Sequence, residues 1–368
     1  MMSESANSST VALSNSECEG RCAGNRYSCK KVRAVAITSG KNVPSRRFRI
    51  DVLKMYLARR NVFLTELCPA ISSYPSKSWL LRPFWLIAAL LERLTFIFRS
   101  RGYDVVILQR EMISTLPTLE KLLPKPWVLD VDDAIYLHRN AKAAEHVARS
   151  CSLVVCGNDF LAEKFSQWNP NIVVIPTGVD TELLRPLTDR GVTDTPVIGW
   201  IGTAGNYRYL ELIEPALREI FAVFPKARLQ IISNQFPTFL ESLGEQLDFR
   251  LWQPDIENEL LPKLTVGIMP LADNEWERGK CSFKMLQYMA AGIPVVASPV
   301  GMNETLLKSA DVGFSAISTE DWVDALTRLL NDENLASDLG GNGRDLVEKD
   351  FSLDSVAETW SKVLMGIV

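Results

Sequence analysis

The sequence predicts an α/β protein of two domains, each a mostly parallel sheet with helices on both faces. Three observations predict it. From Lys31 onward, short uncharged runs rich in Val and Ile alternate with segments of helical period, the pattern of repeated βαβ units. That alternation stops at a Pro/Thr/Asp-rich stretch, 177–196, and then restarts. A chain of 368 residues also suits two domains of roughly 150 residues each.

In the first domain "VRAVAIT" reads as a strand, "RFRIDVLKMYLARR" as a helix and "NVFLTEL" as the next strand. "YDVVILQ", "WVLDV", "SLVVCG" and "NIVVIP" continue the strands, with "AKAAEHVARS" and "DFLAEKFSQW" as helices between them. In the second domain the strands are "VIGWIG", "RLQIIS", "FRLWQ", "LTVGIMPL" and "IPVVASP", and the helices are "YLELIEPALREIFAVF", "KMLQYMAA" and "EDWVDALTRLLND". Gly340, Gly341 and Gly343 are expected to break the chain before the closing helix "LDSVAETWSKVLMGI", which should pack back across the linker. The implied divisions are a mobile tail over 1–30, a first Rossmann-like domain over 31–188, a second over 189–345, and a closing helical segment over 346–368.

With 47% hydrophobic and 23% charged residues, the chain is neither disordered nor a multi-span membrane protein. The net charge of -4 hides an asymmetry: residues 1–188 carry 25 Lys/Arg against 17 Asp/Glu, and residues 189–368 carry 15 against 27. A basic first half suits an anionic membrane surface or substrate, or is merely a solvated surface. Seven cysteines without a repeated CxxC spacing argue against structural zinc and suit a reducing cytoplasm. No apolar signal core occurs in the first thirty residues. The stretch "WLLRPFWLIAALLERLTFIF" is interrupted by Arg82, Glu92 and Arg93, too often to span a bilayer. It is either a buried helix or a helix at the membrane surface, with Trp79, Phe84 and Trp85 at the interface.

Ligands of open α/β sheets bind outside the carboxyl ends of the strands, so the strand-end loops carry the functional reading. In "GKCSFKMLQYMAAGIPVVASPVG", Ser282 can cap a helix starting near Phe283, whose Phe283, Leu286, Met289 and Ala290 share one face. The N–H groups of Lys280 to Lys284 then point from the helix start, where partial positive charge favours phosphate, and Lys280 and Lys284 add two ammonium groups. A diphosphate is the natural guest; an amphipathic helix with surface lysines is the plainer reading. In "GWIGTAGNYRYL", Gly202, Thr203 and Gly205 allow close backbone approach or simply turn the chain, and Arg208 is the sole cation.

Arg46, Arg47 and Arg49 follow the first strand in "TSGKNVPSRRFRI" and suit an anionic acceptor such as a lipid-linked phosphate, or are solvated helix-start cations. In "WVLDVDDAIYL", Asp130, Asp132 and Asp133 end a buried strand and are expected to project toward the ligand, with Asp132 or Asp133 orienting an acceptor or taking its proton. Arg110 and Glu111 of "LQREM" are expected on the same wall. Asp-x-Asp could suggest a metal, but no metal site is expected. His138 and His146 lie in no ligand-spaced cluster, and no GxSxG, Walker or GxGxxG pattern occurs.

The pattern of the Gly279 stretch resembles the sugar-nucleotide motif of retaining GT-B glycosyltransferases of the group-one, family-four type. Their helix reads Glu, seven residues, Glu, then Ala-Met-Ala-Ala-Gly and a Pro-Val-Val strand. "SLVVCGNDFLAEKF" and "IPTGVDTELLRP" resemble two further segments of that family. The resemblance implies the GT-B fold, two Rossmann-like domains facing across a cleft. It places Gly40 in the glycine loop near the diphosphate, Gln287 where a Glu binds the nucleotide ribose, and Gly279 where a Glu contacts the donor sugar. Both acids are replaced here, and Glu277, two residues earlier, could stand in for the first. Where the family uses an Arg and a Lys after the first strand of the second domain, Lys280 and Lys284 are expected to supply the charge.

The implied function is transfer of a sugar, with retention, from a nucleotide diphosphate to a glycan or lipid-linked acceptor of envelope polysaccharide. It would proceed without a cofactor, in the cytoplasm or at the inner face of the membrane, and without nucleic acid. A non-hydrolysing sugar-nucleotide epimerase and a catalytically silent sugar-nucleotide binder are the alternatives.

Overall fold

The computed structural model describes residues 30–368, apart from 42, 76–77, 139–140 and 189–194. The expected tail with Cys18, Cys22 and Cys29 lies outside the described residues, as does the middle of the expected linker.

The first sheet contains β1 (Val32–Ile37), β2 (Val62–Leu67), β3 (Val105–Gln109), β4 (Trp127–Val131), β5 (Leu153–Cys156) and β6 (Ile172–Val174), in the order β2-β1-β3-β4-β5-β6. The second contains β7 (Val197–Ile201), β8 (Arg228–Ser233), β9 (Leu247–Leu251), β10 (Val266–Met269), β11 (Val295–Ala297) and β12 (Gly313–Ser315), in the order β12-β11-β10-β7-β8-β9. All pairings are parallel. Helices cover both faces, so the central strands carry few polar side chains and could be read as apolar runs. The strand order reverses between β1 and β3 in the first sheet and between β7 and β10 in the second. The loops after these four strands therefore flank the crevices where such sheets take ligands.

The closing helix Leu353–Ile367 packs on the first sheet although it follows the second in sequence. Leu353, Val356, Trp360 and Leu364 share a core with Ile50, Leu53 and Leu57, and Val179 exchanges backbone hydrogen bonds with Phe351 and Leu353. The three glycines expected to break the chain instead lie inside a helix, Glu333–Leu346. Packing explains the difference: a Cβ on Gly340 would stand 2.2 Å from the Gly292 carbonyl oxygen, and one on Gly343 would stand 3.1 Å from Met289 Cγ. Here glycine permits helices to touch at a cost in helix propensity. The helix Met302–Ser309 and strand β12 were not expected either.

The apolar stretch at Trp79 forms a turn, Trp79–Leu81, and a helix, Arg82–Ser100, that is buried on one face only. Ala89, Arg93, Phe96, Ile97 and Ser100 face inward, while Trp79 and Phe84 remain 73% and 72% exposed, with Leu80, Ile87 and Leu91 exposed beside them. Arg93 is held by the Ile71 carbonyl at 2.8 Å, the Ser73 hydroxyl at 3.1 Å and the Glu92 carboxylate.

At the end of β4, Asp130 faces inward to Arg49, correcting the expectation that it meets a ligand. Arg49 Nη2 lies 2.6 Å from Asp130 Oδ1, its Nε lies 3.0 Å from Oδ2, and the rest of the guanidinium donates to Thr177 Oγ1 and the Ile175 carbonyl at 3.1 Å each. Both residues are fully buried, so Arg49 is withdrawn from the acceptor-binding set as well. Burial opposes the charge on Arg49, but the Asp130 carboxylate outweighs it and holds the guanidinium above its ordinary pKa. Removing one partner leaves a buried charge unmet. Asp130→Ala is therefore expected to cost ~3–5 kcal/mol, read as a lowered urea midpoint; a change within ~0.5 kcal/mol would show the pair to be dispensable.

Candidate active site

After β10 the chain passes through a short helix, Glu275–Arg278, and then the helix Phe283–Ala290. Asn274 starts the first by accepting the Glu277 N–H at 3.1 Å. Ser282 occupies the N-cap position of the second but does not cap it. Its backbone is left-handed, with φ of 47°, and its hydroxyl meets Asn303 Oδ1 at 2.6 Å, which corrects the expected serine cap. The N–H groups of Phe283, Lys284 and Met285 have no acceptor among the described residues, whereas the Lys280 N–H is taken by the Glu277 carbonyl at 3.1 Å.

Lys284 turns back from this helix start toward the end of β7. Its ammonium lies 4.8 Å from the centre of the Trp200 ring, and a Cβ on Gly202 would come within 2.6 Å of that ring and 2.7 Å of the ammonium, so glycine leaves room for both. No carboxylate pairs with Lys284 among the described residues. Burial, with the nearby Lys280 charge, pushes its pKa down to about 7. Lys280 is paired: its Nζ is 2.5 Å from Glu277 Oε2 and lies over the Tyr209 ring. Buried Glu277 also accepts from the Tyr209 hydroxyl and, at 3.4 Å, from Arg208. Thr203 opens the turn Ala204–Asn206 and accepts from Asn206 Nδ2 at 3.3 Å. Gln287, one turn along from Lys284 on the same helix face, donates to Glu257, which also accepts from the Trp252 indole. A carboxylate from another helix thus stands beside this amide, a pairing that no local motif signals.

Across from these lie the loops of the first sheet. Arg110 has a left-handed backbone, φ 60°, and reaches both neighbouring acids: Nε to Asp132 Oδ1 at 2.9 Å and Nη2 to Asp133 Oδ2 at 2.5 Å. Burial first, then the Asp132 charge, pushes the Asp133 carboxyl up to about 6, despite Arg110 and Lys280 nearby. Glu111 does not share this wall as an acceptor contact. It is 5% exposed, and burial pushes it up to about 7. Arg46 is occupied too, with Nε and Nη2 on Glu66, the latter at 2.9 Å, so it offers little to an acceptor. Arg47 remains, its guanidinium 5.5 Å from the Trp252 ring centre, next to Phe48, whose ring is 4.2 Å from that of Phe283. Gly40 takes φ of 145°, a conformation other residues rarely adopt. Among the described residues no group of three His, Cys, Asp or Glu side chains is placed to hold a metal. His138 instead lies tilted against Trp276, ring centres 5.4 Å apart, and His146 lies 3.8 Å from Glu120.

The two sets of loops are knitted together at residues 278–281. A Cβ on Gly279 would stand 2.8 Å from the Ala134 Cβ, and one on Gly157 would stand 2.2 Å from the Cys281 sulfur. Asn158 caps the helix Asp159–Ser166 with its side-chain oxygen and donates from its nitrogen to the Lys280 carbonyl at 2.9 Å. Sequence reading found the cap segment but not this bond between sheets. Trp252, Glu257, Tyr209 and Trp276 were missed because their partners are distant in sequence.

Residues 195–332 match the family model described as Glycosyl transferases group 1. A D-inositol 3-phosphate glycosyltransferase of Corynebacterium aurimucosum is 28% identical over 205 residues, 47% of this chain and 46% of that protein, so the match spans about half of that relative's length. Glucosyltransferase 3 of Streptococcus parasanguinis is 24% identical over 63% of this chain and 71% of its own. Among solved structures, the sucrose-phosphate synthase of Thermosynechococcus elongatus superposes with a TM-score of 0.71 at 14% identity, over 91% of this chain and 99% of that one. HepE of Anabaena, in complex with UDP and glucose, gives 0.69 at 14% identity over 91% and 100%. The architecture is thus the GT-B fold, two parallel six-stranded sheets with their helices.

Chemically the site offers an anion three free amides and an ammonium that burial has made easy to neutralise. Below about pH 7 Lys284 is charged before a ligand arrives; above it Lys284 is neutral in the free site, and anion binding must draw in a proton. Pyrophosphate affinity is therefore expected to fall as pH rises from 7 toward 9, by up to about tenfold per unit, with net proton uptake in calorimetry. Lys284→Met should abolish the uptake, and equal uptake in that variant would show that another group titrates.

Proposed function

We propose that the protein is a glycosyltransferase that moves a sugar, with retention at the anomeric carbon, from a nucleotide diphosphate to a glycan or lipid-linked acceptor of envelope polysaccharide. The observation that carries this reading is the unpartnered Lys284 ammonium, held against Gly202 at the start of the Phe283 helix and beside Lys280. As the leaving diphosphate gains charge, these amides and ammonium groups stabilise it without reorganising, an effect of about 10²–10³ in rate for each donor. The same cations take the part a divalent ion would otherwise play. The match of residues 195–332 to group 1 glycosyl transferases supports the reading.

On the facing wall Asp133 is the group to receive or orient the acceptor proton, with its pKa raised toward neutrality, while Arg110 fixes it and Asp132 in place. Glu257 and Gln287 are placed for ribose hydroxyls, one turn from the diphosphate. Incubation with nucleotide sugars and a lipid-linked glycan fraction should release the nucleoside diphosphate and give a product of retained configuration by NMR. Asp133→Asn is expected to slow transfer by about 10²–10³ while UDP binding persists. Formation of an epimeric nucleotide sugar without nucleotide release would instead establish the epimerase, and binding without any turnover would establish the silent binder.

We infer further that the Arg82 helix contacts the inner face of an anionic membrane. Trp79 and Leu80 of the turn before it and its own Phe84, Ile87 and Leu91 form an exposed apolar face, Arg99 and Arg101 are exposed near its end, and Glu92 is turned to Arg93. No described helix is long and apolar enough to cross a membrane, so the contact is interfacial. Sedimentation with phosphatidylglycerol vesicles should bring the protein down, and the double variant Trp79→Ser, Phe84→Ser should leave it in solution. Equal sedimentation of both would remove this helix as the contact.

A further inference from the structure

A cavity of about 530 Å³ opens beside Glu277, within the range of small-molecule sites, roughly 300–1,000 Å³. His138, Arg208, Tyr209, Asn274, Trp276 and Glu277 line it, whereas Gly202, Lys284 and Gln287 do not. It shares Arg208 and Glu277 with the donor-facing loops, but its His138, Asn274 and Trp276 wall is separate from the groups assigned to the diphosphate and ribose. Its walls are of two kinds. The Trp276 indole gives flat apolar surface, and the His138 ring, from the other sheet, stands 5.4 Å from it at an interplanar angle of 60°, while the Tyr209 ring is buried beneath Arg208 and Lys280. Around them are donors. The Arg208 side chain is 62% exposed, and the Asn274 side-chain oxygen is engaged with the Glu277 N–H, leaving its amide nitrogen free to donate. Glu277 is too buried to serve as a rim group and instead fixes Tyr209 and Arg208 from below.

A flat apolar wall with directed donors at its edge matches a pyranose ring, whose C–H face is apolar and whose rim carries hydroxyls. Because His138 belongs to the first sheet and the other walls to the second, the cavity is complete only when the two sets of loops meet. We propose that this cavity binds the terminal pyranose of the acceptor, with Trp276 as the surface on which the ring lies and Arg208 and Asn274 as its hydroxyl contacts. The inference rests on the glycosyltransferase reading above and names the acceptor as a sugar, not a bare lipid phosphate. Lys280, which bridges Glu277 and the neighbourhood of Asp133, connects the cavity with the reacting groups.

The test uses the full chain saturated with UDP, titrated with methyl glycosides of hexoses, N-acetylhexosamines and a hexuronate, and read by saturation-transfer NMR. At least one glycoside is expected to bind wild type, to lose about tenfold in affinity with Trp276→Ala, and to recover with Trp276→Phe, which keeps an aromatic face. UDP affinity should not change in either variant, which also establishes that they fold. If no glycoside binds wild type, or if Trp276→Ala binds it equally well, the proposal is overturned. If Trp276→Ala weakens a UDP-sugar but no free glycoside, the cavity holds the donor sugar and the acceptor assignment falls. Failure of wild type to bind any of UDP, GDP, ADP, CDP or dTDP would instead sink the glycosyltransferase reading itself, independently of the cavity.

Discussion

The contact on which the rest depends is the insertion of Gly279–Cys281 between the Asp132–Ala134 and Gly157–Asn158 loops of the first sheet. Neither Gly279 nor Gly157 has room for a methyl group, and the Asn158 amide closes the seam on the Lys280 carbonyl. The same three residues carry Lys280 and lead directly into the helix that presents Lys284. Packing between the sheets and placement of positive charge are therefore one feature of the chain. Lys280 cannot reach the vicinity of Asp133 unless the seam is made.

The charged groups separate into those that hold the fold and those left over. Arg49 with Asp130, Arg46 with Glu66 and Arg93 with the Ile71 carbonyl are satisfied inside the protein, and each was indistinguishable in sequence from a ligand-facing arginine. Breaking such buried pairs is costly, which is why they are poor candidates for binding. Lys284 is the opposite case. Burial desolvates it, and among the described residues no carboxylate pairs with it, only the Trp200 ring standing against its ammonium.

Sequence alone made the two sheets legible, because strands covered on both faces must be apolar and the intervening helices must be amphipathic. The loop after β10 was legible as well, since a glycine-bounded helix start with two lysines is a local pattern. What escaped was whatever depends on distance through space. Gly340 and Gly343 looked like breakers because nothing nearby in sequence announces the Gly292 carbonyl and the Met289 side chain they admit. Asp130 and Asp132 differ by two positions along one strand end, yet one points into the core and the other toward Arg110. Glu257 accepts from Gln287, 30 residues further along, a pairing visible only once the Ile256–Leu260 helix is folded beside Gln287.

Cys281 follows from the same seam. Its sulfur is packed against Gly157 and directed at the Asp132 carbonyl, and burial holds the thiol well above its ordinary pKa, so in the joined state it is neither ionised nor accessible. Only parting of the two lobes would wet it. The protein thus carries, within this seam, a thiol shielded by the very contact that joins the lobes.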